Sequence, residues 1–271
     1  MRRGTYKSVS KATAVGANVI TFSGTDIPMD RAVKLMIGQT GAGNNNGQIT
    51  NILLLANNQV VFNGSFTQLQ AFLQAAFPNK TPPGTANVTC SIPFYIPDLG
   101  TEEEQDQSQF PFGASATLRI TTAGTAAVGT FACAVEYTDQ PQVFFPSLYG
   151  TPMQCPASSQ RFVYTITDGG ILRGLALNTV GLDEVILYVN DKLPIFELPG
   201  PTNALGVDMY SEYQSETGGA TITVIRYVRV PMTVPMSPLA ASLKLSTTGT
   251  WGGTSNECFL HVIRPIAELS S

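Results

Sequence analysis

Residues able to do chemistry are few in this chain, and they do not gather. The only histidine is His261, inside the apolar stretch ECFLHVIRP. A Ser-His-Asp hydrolase would have to use it, yet no G-x-S-x-G motif presents a nucleophile. A histidine-based metal centre needs several ligands, and no Cys/His cluster surrounds this one, so it reads as a packing or interface residue. The cysteines, Cys90, Cys133, Cys155 and Cys258, contain no CxxC pair and are too few for a disulfide scaffold of this length. Reduced thiols in an intracellularly made protein are the expectation, with Cys133 and Cys258 acting as small hydrophobes in strands. Glu102, Glu103, Glu104 and Asp106 form an acidic run without the alternating ligands and fixed glycine of a calcium loop. They are expected to form a solvated, exposed loop. A glycosidase would need two positioned carboxylates, and the sequence pairs none. Asn63-Gly64-Ser65 and Asn87-Val88-Thr89 match the glycosylation sequon, a frequent chance match. No catalytic, cofactor-binding or metal-ligating set is therefore expected, and no cofactor.

The segment most suggestive of a partner is the start. Arg2, Arg3, Lys7 and Lys11 crowd the first eleven residues, and no acid precedes Asp26. Such an arm is either a solubilising tail or a contact for an anionic surface, lipid or nucleic acid. The net charge is −4, and without these four cations it would be −8, which argues against a nucleic-acid-binding body and against sequence-specific binding. Charged residues make up 13% of the chain, about half the usual share, as when much surface is buried against partners. No apolar h-region follows the N-terminal cations, so no secretory signal is read there, and no stretch is long enough for a transmembrane helix.

The elements that would position these residues repeat. ATLRITTAGT (116–125) matches ASLKLSTTGT (241–250) at an offset of 125, which sets Cys133 on Cys258 and Glu136 on His261. ILLLANNQVVF (52–62) falls on VILYVNDKLPIF (185–196) at 133, with one extra residue near the end. ANVTCSIPFYIP (86–97) matches ATITVIRYVRVP (220–231) at 134, and AVKLMIGQT (32–40) lies over ILRGLALNT (171–179) at 139. Four segments in one order indicate an internal duplication, with loop insertions such as 41–47 accounting for the drift.

Each copy reads as all-β. Ala17–Phe22 and Arg161–Thr167 alternate apolar and polar residues, and Asn57-Asn58 and Asn190-Asp191 mark equivalent hairpin turns. Val88–Ile96 with Ile222–Val230, Ala116–Thr122 with Ser242–Thr248, and Thr130–Tyr137 with Glu257–Ile263 supply further strands. A helix is expected from Phe66 to Phe77, capped by Ser65 and Gln68 and stopped by Pro78, with a weaker counterpart at Thr202–Tyr213. The result is an all-β chain of two tandem eight-stranded jelly-roll β-sandwiches with short helices in loops. The expected division is a basic arm at 1–16, a first jelly roll at 17–139, an ordered Pro/aromatic linker at 140–157 and a second jelly roll at 158–271.

On the paired segments ILLLANNQVVF/VILYVNDKLPIF and ATLRITTAGT/ASLKLSTTGT, the chain from Ala17 to Pro265 resembles the double jelly-roll major capsid proteins of tailless, membrane-containing icosahedral phages, a lineage that includes the adenovirus hexon. The resemblance implies a structural protein rather than an enzyme, made in the host cytoplasm and located in the virion shell. It implies a homotrimer whose six rolls form a pseudo-hexagonal capsomer, beside neighbouring capsomers, minor capsid and vertex proteins, and an internal membrane. It would turn Arg2, Arg3, Lys7 and Lys11 inward to that membrane and make the Glu102–Asp106 loop a candidate for the outer surface. Two other readings stand behind it. A sugar-binding adhesin would need exposed aromatics, where Trp251 is the lone tryptophan. A two-jelly-roll amidase or glycosidase would need export and a carboxylate-lined cleft.

Overall fold

The computed structural model describes residues 3–8, 10–40, 49–66, 69, 89–96, 101–152, 161–166, 170–178, 182–189, 193–199, 214–217, 225–229, 235–236, 241–247 and 257–265. They form two compact units, divided after Tyr149 and after Val262.

The first unit contains β1 (Arg3–Lys7), β2 (Lys11–Thr13), β3 (Val19–Ser23), β4 (Ala32–Thr40), β5 (Ile49–Ala56), β6 (Gln59–Gly64), β7 (Thr89–Pro93), β8 (Ala116–Thr122) and β9 (Gly129–Thr138). Their pairing is that of one long hairpin. β1 lies antiparallel to β9, β3 to β8, β4 to β7 and β5 to β6. Rolling this ribbon brings β4 against β9 and β5 against β8, which yields the sheets β1-β9-β4-β7 and β3-β8-β5-β6. β2 also pairs with β9 and extends the line of β1. This is an eight-stranded jelly roll.

Period-two patterning explains why these segments are strands. In β8, Ala116, Leu118, Ile120 and Thr122 are buried while Arg119 is exposed, and in β9, Phe131, Cys133 and Val135 are buried. With Phe22, Leu35, Ile37, Ile52, Leu54 and Phe62 these side chains fill the space between the sheets. Each of the Leu, Ile, Val and Phe side chains among them contributes about 1.5–3 kcal/mol by leaving water. Asn57 and Asn58 link β5 to β6 with φ of 47° and 69°, as a two-residue hairpin of matching twist requires. Beyond β6, Phe66 and Leu69 are helical and buried, and Leu69 N–H donates to the Ser65 carbonyl at 3.0 Å. The rest of that expected helix, its counterpart at Thr202–Tyr213 and the 41–47 insertion lie outside the described residues.

The second unit repeats the plan. It holds β10 (Phe144–Pro152) from Gly150 on, β11 (Arg161–Ile166), β12 (Gly170–Asn178), β13 (Leu182–Val189), β14 (Leu193–Pro199), β15 (Gln214–Thr217), β16 (Ile225–Arg229), β17 (Pro235–Met236), β18 (Ala241–Thr247) and β19 (Glu257–Pro265) up to Val262. One sheet runs β11-β18-β13-β14, and the other runs β15-β16-β12-β19-β10 with β17 beside β12. The duplication holds at the level of individual pairs. Leu54 stands opposite Leu118 in the first roll, and Leu187 opposite Leu243 in the second, at the offsets of 133 and 125 read from sequence. The β5–β6 hairpin is irregular between Leu54 and Leu55, and β13–β14 between Leu187 and Tyr188, the equivalent place. Ala56 pairs with Gln59, whereas Val189 pairs with Leu193, so the extra residue sits in the second hairpin's turn.

Two segments differ from the division expected from sequence. Arg3–Lys7 and Lys11–Thr13, expected within a basic arm, are strands on β9. Tyr137 packs its ring over Gly4 on that edge, where any Cβ would collide with it. Phe144–Pro152, expected within a linker, is the strand β10, with Phe145 and Leu148 fully buried. In both cases free backbone groups beside a sheet edge are satisfied by strand pairing.

Candidate functional site

The four N-terminal cations do not form one feature. Arg2 lies outside the described residues, while Arg3 and Lys7 are the ends of β1. Lys11 on β2 is committed to the fold. Its Nζ donates to Asp26 Oδ2 at 2.8 Å and to the Thr21 carbonyl at 2.8 Å, and lies 5.0 Å from the centre of the Phe22 ring. Asp26 also accepts from the Ser23 N–H at 2.8 Å and the Ser23 hydroxyl at 3.0 Å. The Lys11 hydrogen bond, followed by that of the Ser23 backbone, lowers its pKa from 3.8 to about 2. Since the folded-state value is depressed, the stabilisation is present above the ordinary carboxylate range and is lost as pH falls through about 2. Acid titration of wild type against Asp26→Asn should show a fall in stability between about pH 4 and pH 2 that the variant lacks. Equal acid dependence in the two proteins would contradict this.

The acidic run also divides. Glu102, Glu103 and Glu104 are exposed on a single helical turn, α1 (Glu102–Gln105). Thr101 caps it: its hydroxyl accepts from Glu104 N–H at 3.2 Å, and Glu104 Oε2 accepts from Thr101 N–H at 2.9 Å. Asp106, expected on the exposed loop, is instead fully buried at the C-cap. Capping the turn carries the chain back into the protein before Asp106, which removes it from the acidic surface. Behind it, two glutamines that no sequence motif marks hold the connection in place. Gln109 Nε2 donates to the Asp106 and Gln140 carbonyls at 2.6 and 2.9 Å, and Gln142 Nε2 donates to the Gln109 carbonyl at 2.9 Å. No spacing marks such residues, because their partners are backbone carbonyls up to 33 positions away.

His261 is buried on β19. Cys133 is buried on β9, and desolvation pushes its thiol up to about 12, so it is neither a nucleophile nor a ready metal ligand. Among the described residues no group of three or more His, Cys, Asp or Glu is placed to hold a metal ion. No helix among them is long and apolar enough to cross a membrane. Trp251 and Asn87 lie outside the described residues.

No protein-family model matches the sequence, and no curated protein is similar enough to be matched. Solved structures do match. The major capsid protein P2 from Bacteriophage PM2 aligns with a TM-score of 0.67 at 12% identity, over 97% of this chain and 98% of that one. The chain has the double jelly-roll fold. The STIV MCP aligns at 0.66 with 14% identity, over 97% and 96% of the two chains. A PBCV-1 virus capsid chain aligns at 0.58 with 11% identity, over 97% and 93%.

In the double jelly roll the ends of the strands decide which loops share a surface. Arg3 stands opposite Thr138 at the end of β9, and Lys34, near the start of β4, stands opposite Pro93 at the end of β7. Ala32 faces Tyr137, so the N-terminus and the β7–β8 connection carrying α1 emerge at the same end of the first roll. Lys7 stands opposite Ala134 and Lys11 opposite Phe131, so these two cations lie further along β9, away from that end. The other end carries exposed Val15, Val19 and Val128, and no charge lies between Lys11 and Asp26 or between Arg119 and Glu136.

Proposed function

We propose that this chain is a viral major capsid protein, assembling as homotrimeric, pseudo-hexagonal capsomers that tile an icosahedral shell in the virion. The observation that carries the reading is the repetition of one jelly roll by the other down to pair register, over a length that capsid proteins of the same fold match nearly end to end. Two like lobes per chain make a threefold ring nearly sixfold in outline, which is the geometric use of such a duplication. The 13% charged content suits a protein whose sides are covered by neighbouring capsomers. Contact with an internal membrane would rest on Arg2, Arg3 and Lys7, without Lys11, and beside the exposed glutamates of α1. Each basic residue contributes about 1 kcal/mol at an anionic surface, so such contact depends on many copies acting together.

The solution mass tests this. Three chains of 28.9 kDa give roughly 87 kDa by light scattering on a sizing column, the closed ring expected here. A trimer that survives dilution supports the reading, and a monomer of 28.9 kDa overturns it.

A further inference from the structure

The connection from β7 to β8 turns back at Pro111–Ala114, where Ala114 N–H donates to the Pro111 carbonyl at 3.2 Å. Gly113 has φ 73°, the third position of a type II turn, and a Cβ there would meet nothing within 4 Å. Phe112 fills the second position, where such turns favour proline and have no need of an aromatic, and it stands 60% exposed. Two other connections hold this turn. Gln142 Oε1 accepts from Phe112 N–H at 2.7 Å, and Asp30 Oδ1 accepts from Gly113 N–H at 3.3 Å. Arg31 Cζ lies 5.9 Å from the centre of the Phe112 ring, and Arg31 Nη1 donates to the Asp139 carbonyl at 3.3 Å. Two residues earlier, Phe110 is fully buried and packs edge-on against Phe94 at 5.8 Å. The turn is thus rooted in the core and braced, while its aromatic tip stays in water.

We propose that Phe112 is a membrane anchor, inserted into the headgroup layer of a bilayer of neutral, zwitterionic lipid. The inference deepens the membrane contact proposed above and gives it an apolar element. Phe112 lies at the end of the first roll where the N-terminus emerges: Arg3 stands opposite Thr138, whose N–H donates to the Arg31 carbonyl at 3.1 Å. Exposed Tyr137 and Val143 belong to the same end, and exposed Asp30, Arg31 and Asp139 stand with them. The core of a protein–protein interface is depleted of charge. A headgroup layer accepts aromatic tips and charges side by side, which favours lipid as the occupant. Charge also selects the lipid. Arg3 and Arg31 are set against Asp30, Asp139, Glu102, Glu103 and Glu104, so an anionic surface is disfavoured.

Flotation of the full chain tests this, with vesicles of phosphatidylcholine alone and of phosphatidylcholine with phosphatidylserine. The wild type should float with the neutral vesicles at least as well as with the anionic ones, at low and high salt alike. Phe112→Ala should weaken that binding by about tenfold per chain, and further where several copies insert together. Phe112→Trp should keep it, with a blue shift of emission on vesicles that the wild type, whose one tryptophan is Trp251, lacks. Because Phe112 is exposed, the alanine variant should unfold at the wild-type urea midpoint. Val15→Ala, at the opposite end of the roll, should bind as wild type, and loss there instead overturns the inference. Binding to anionic vesicles alone, lost in salt and unchanged by Phe112→Ala, overturns it and returns the contact to the basic residues. A trimer that floats with neither vesicle overturns it and leaves the capsomer reading intact, whereas a monomer that floats supports it and overturns the capsomer. A Phe112→Ala protein that loses its trimer assigns the ring to a second copy and overturns the lipid contact.

Discussion

Replacing Phe62 by alanine should destabilise the first roll by about 3–5 kcal/mol. Phe62 is fully buried on β6, stands opposite Leu54 across the hairpin and opposite Leu148 across the parallel joint. Its ring therefore meets an interior bounded by strands on both sides, which cannot collapse into the space without breaking two ladders. The cost should be the transfer term for the lost ring plus most of the cavity term. Urea unfolding should show the midpoint moving to lower denaturant with the slope preserved, since the exposed area on unfolding barely changes. Phe62→Leu keeps most of the apolar volume and should lose much less. A loss below about 1 kcal/mol for the alanine variant would show that β6 packs loosely, contrary to the burial described.

The sequence carried the duplication and much of the strand order because these depend on local pattern. Alternation in ATLRITT gives β8 with matching bounds, and offsets between copies match the pair register of both rolls. The ends of the first roll were less legible. RGTYK reads as a charged tail because only one residue in it, Tyr6, is a large apolar one, and its strand character comes from β9, whose partners lie from Ala134 to Thr138, far along the chain. FFPSLYGTP looks like linker because of its prolines, yet proline is tolerated where a strand begins or a joint is short. The acidic run looks like one exposed loop because four acids lie within five positions. What separates Asp106 from its neighbours is a capping box, visible as Thr101 followed three residues later by Glu104, which turns the chain inward. That signal was available in the sequence, but the end of the roll on which it falls was not, because that depends on counting crossings between sheets.

Asn57→Val should cost about 2–3 kcal/mol, from two separable causes. Asn57 sits at φ 47°, in the left-handed region where a β-branched residue is strained. Its Oδ1 also accepts from Ser115 N–H at 2.8 Å while its own N–H donates to the Ser115 carbonyl at 3.1 Å, tying the β5–β6 turn to the start of β8. Asn57→Gly keeps the backbone conformation and loses only the side-chain bond, so it should cost about 1 kcal/mol. Asn57→Asp retains an acceptor in the same place and should stay near wild type. If valine and glycine cost the same, backbone strain is not the reason for asparagine here, and the bond to Ser115 alone accounts for it. If both cost nothing, the hairpin register is held elsewhere. The irregularity between Leu54 and Leu55 would then be the device, and its repetition between Leu187 and Tyr188 the reason both rolls keep the same register through turns of different length.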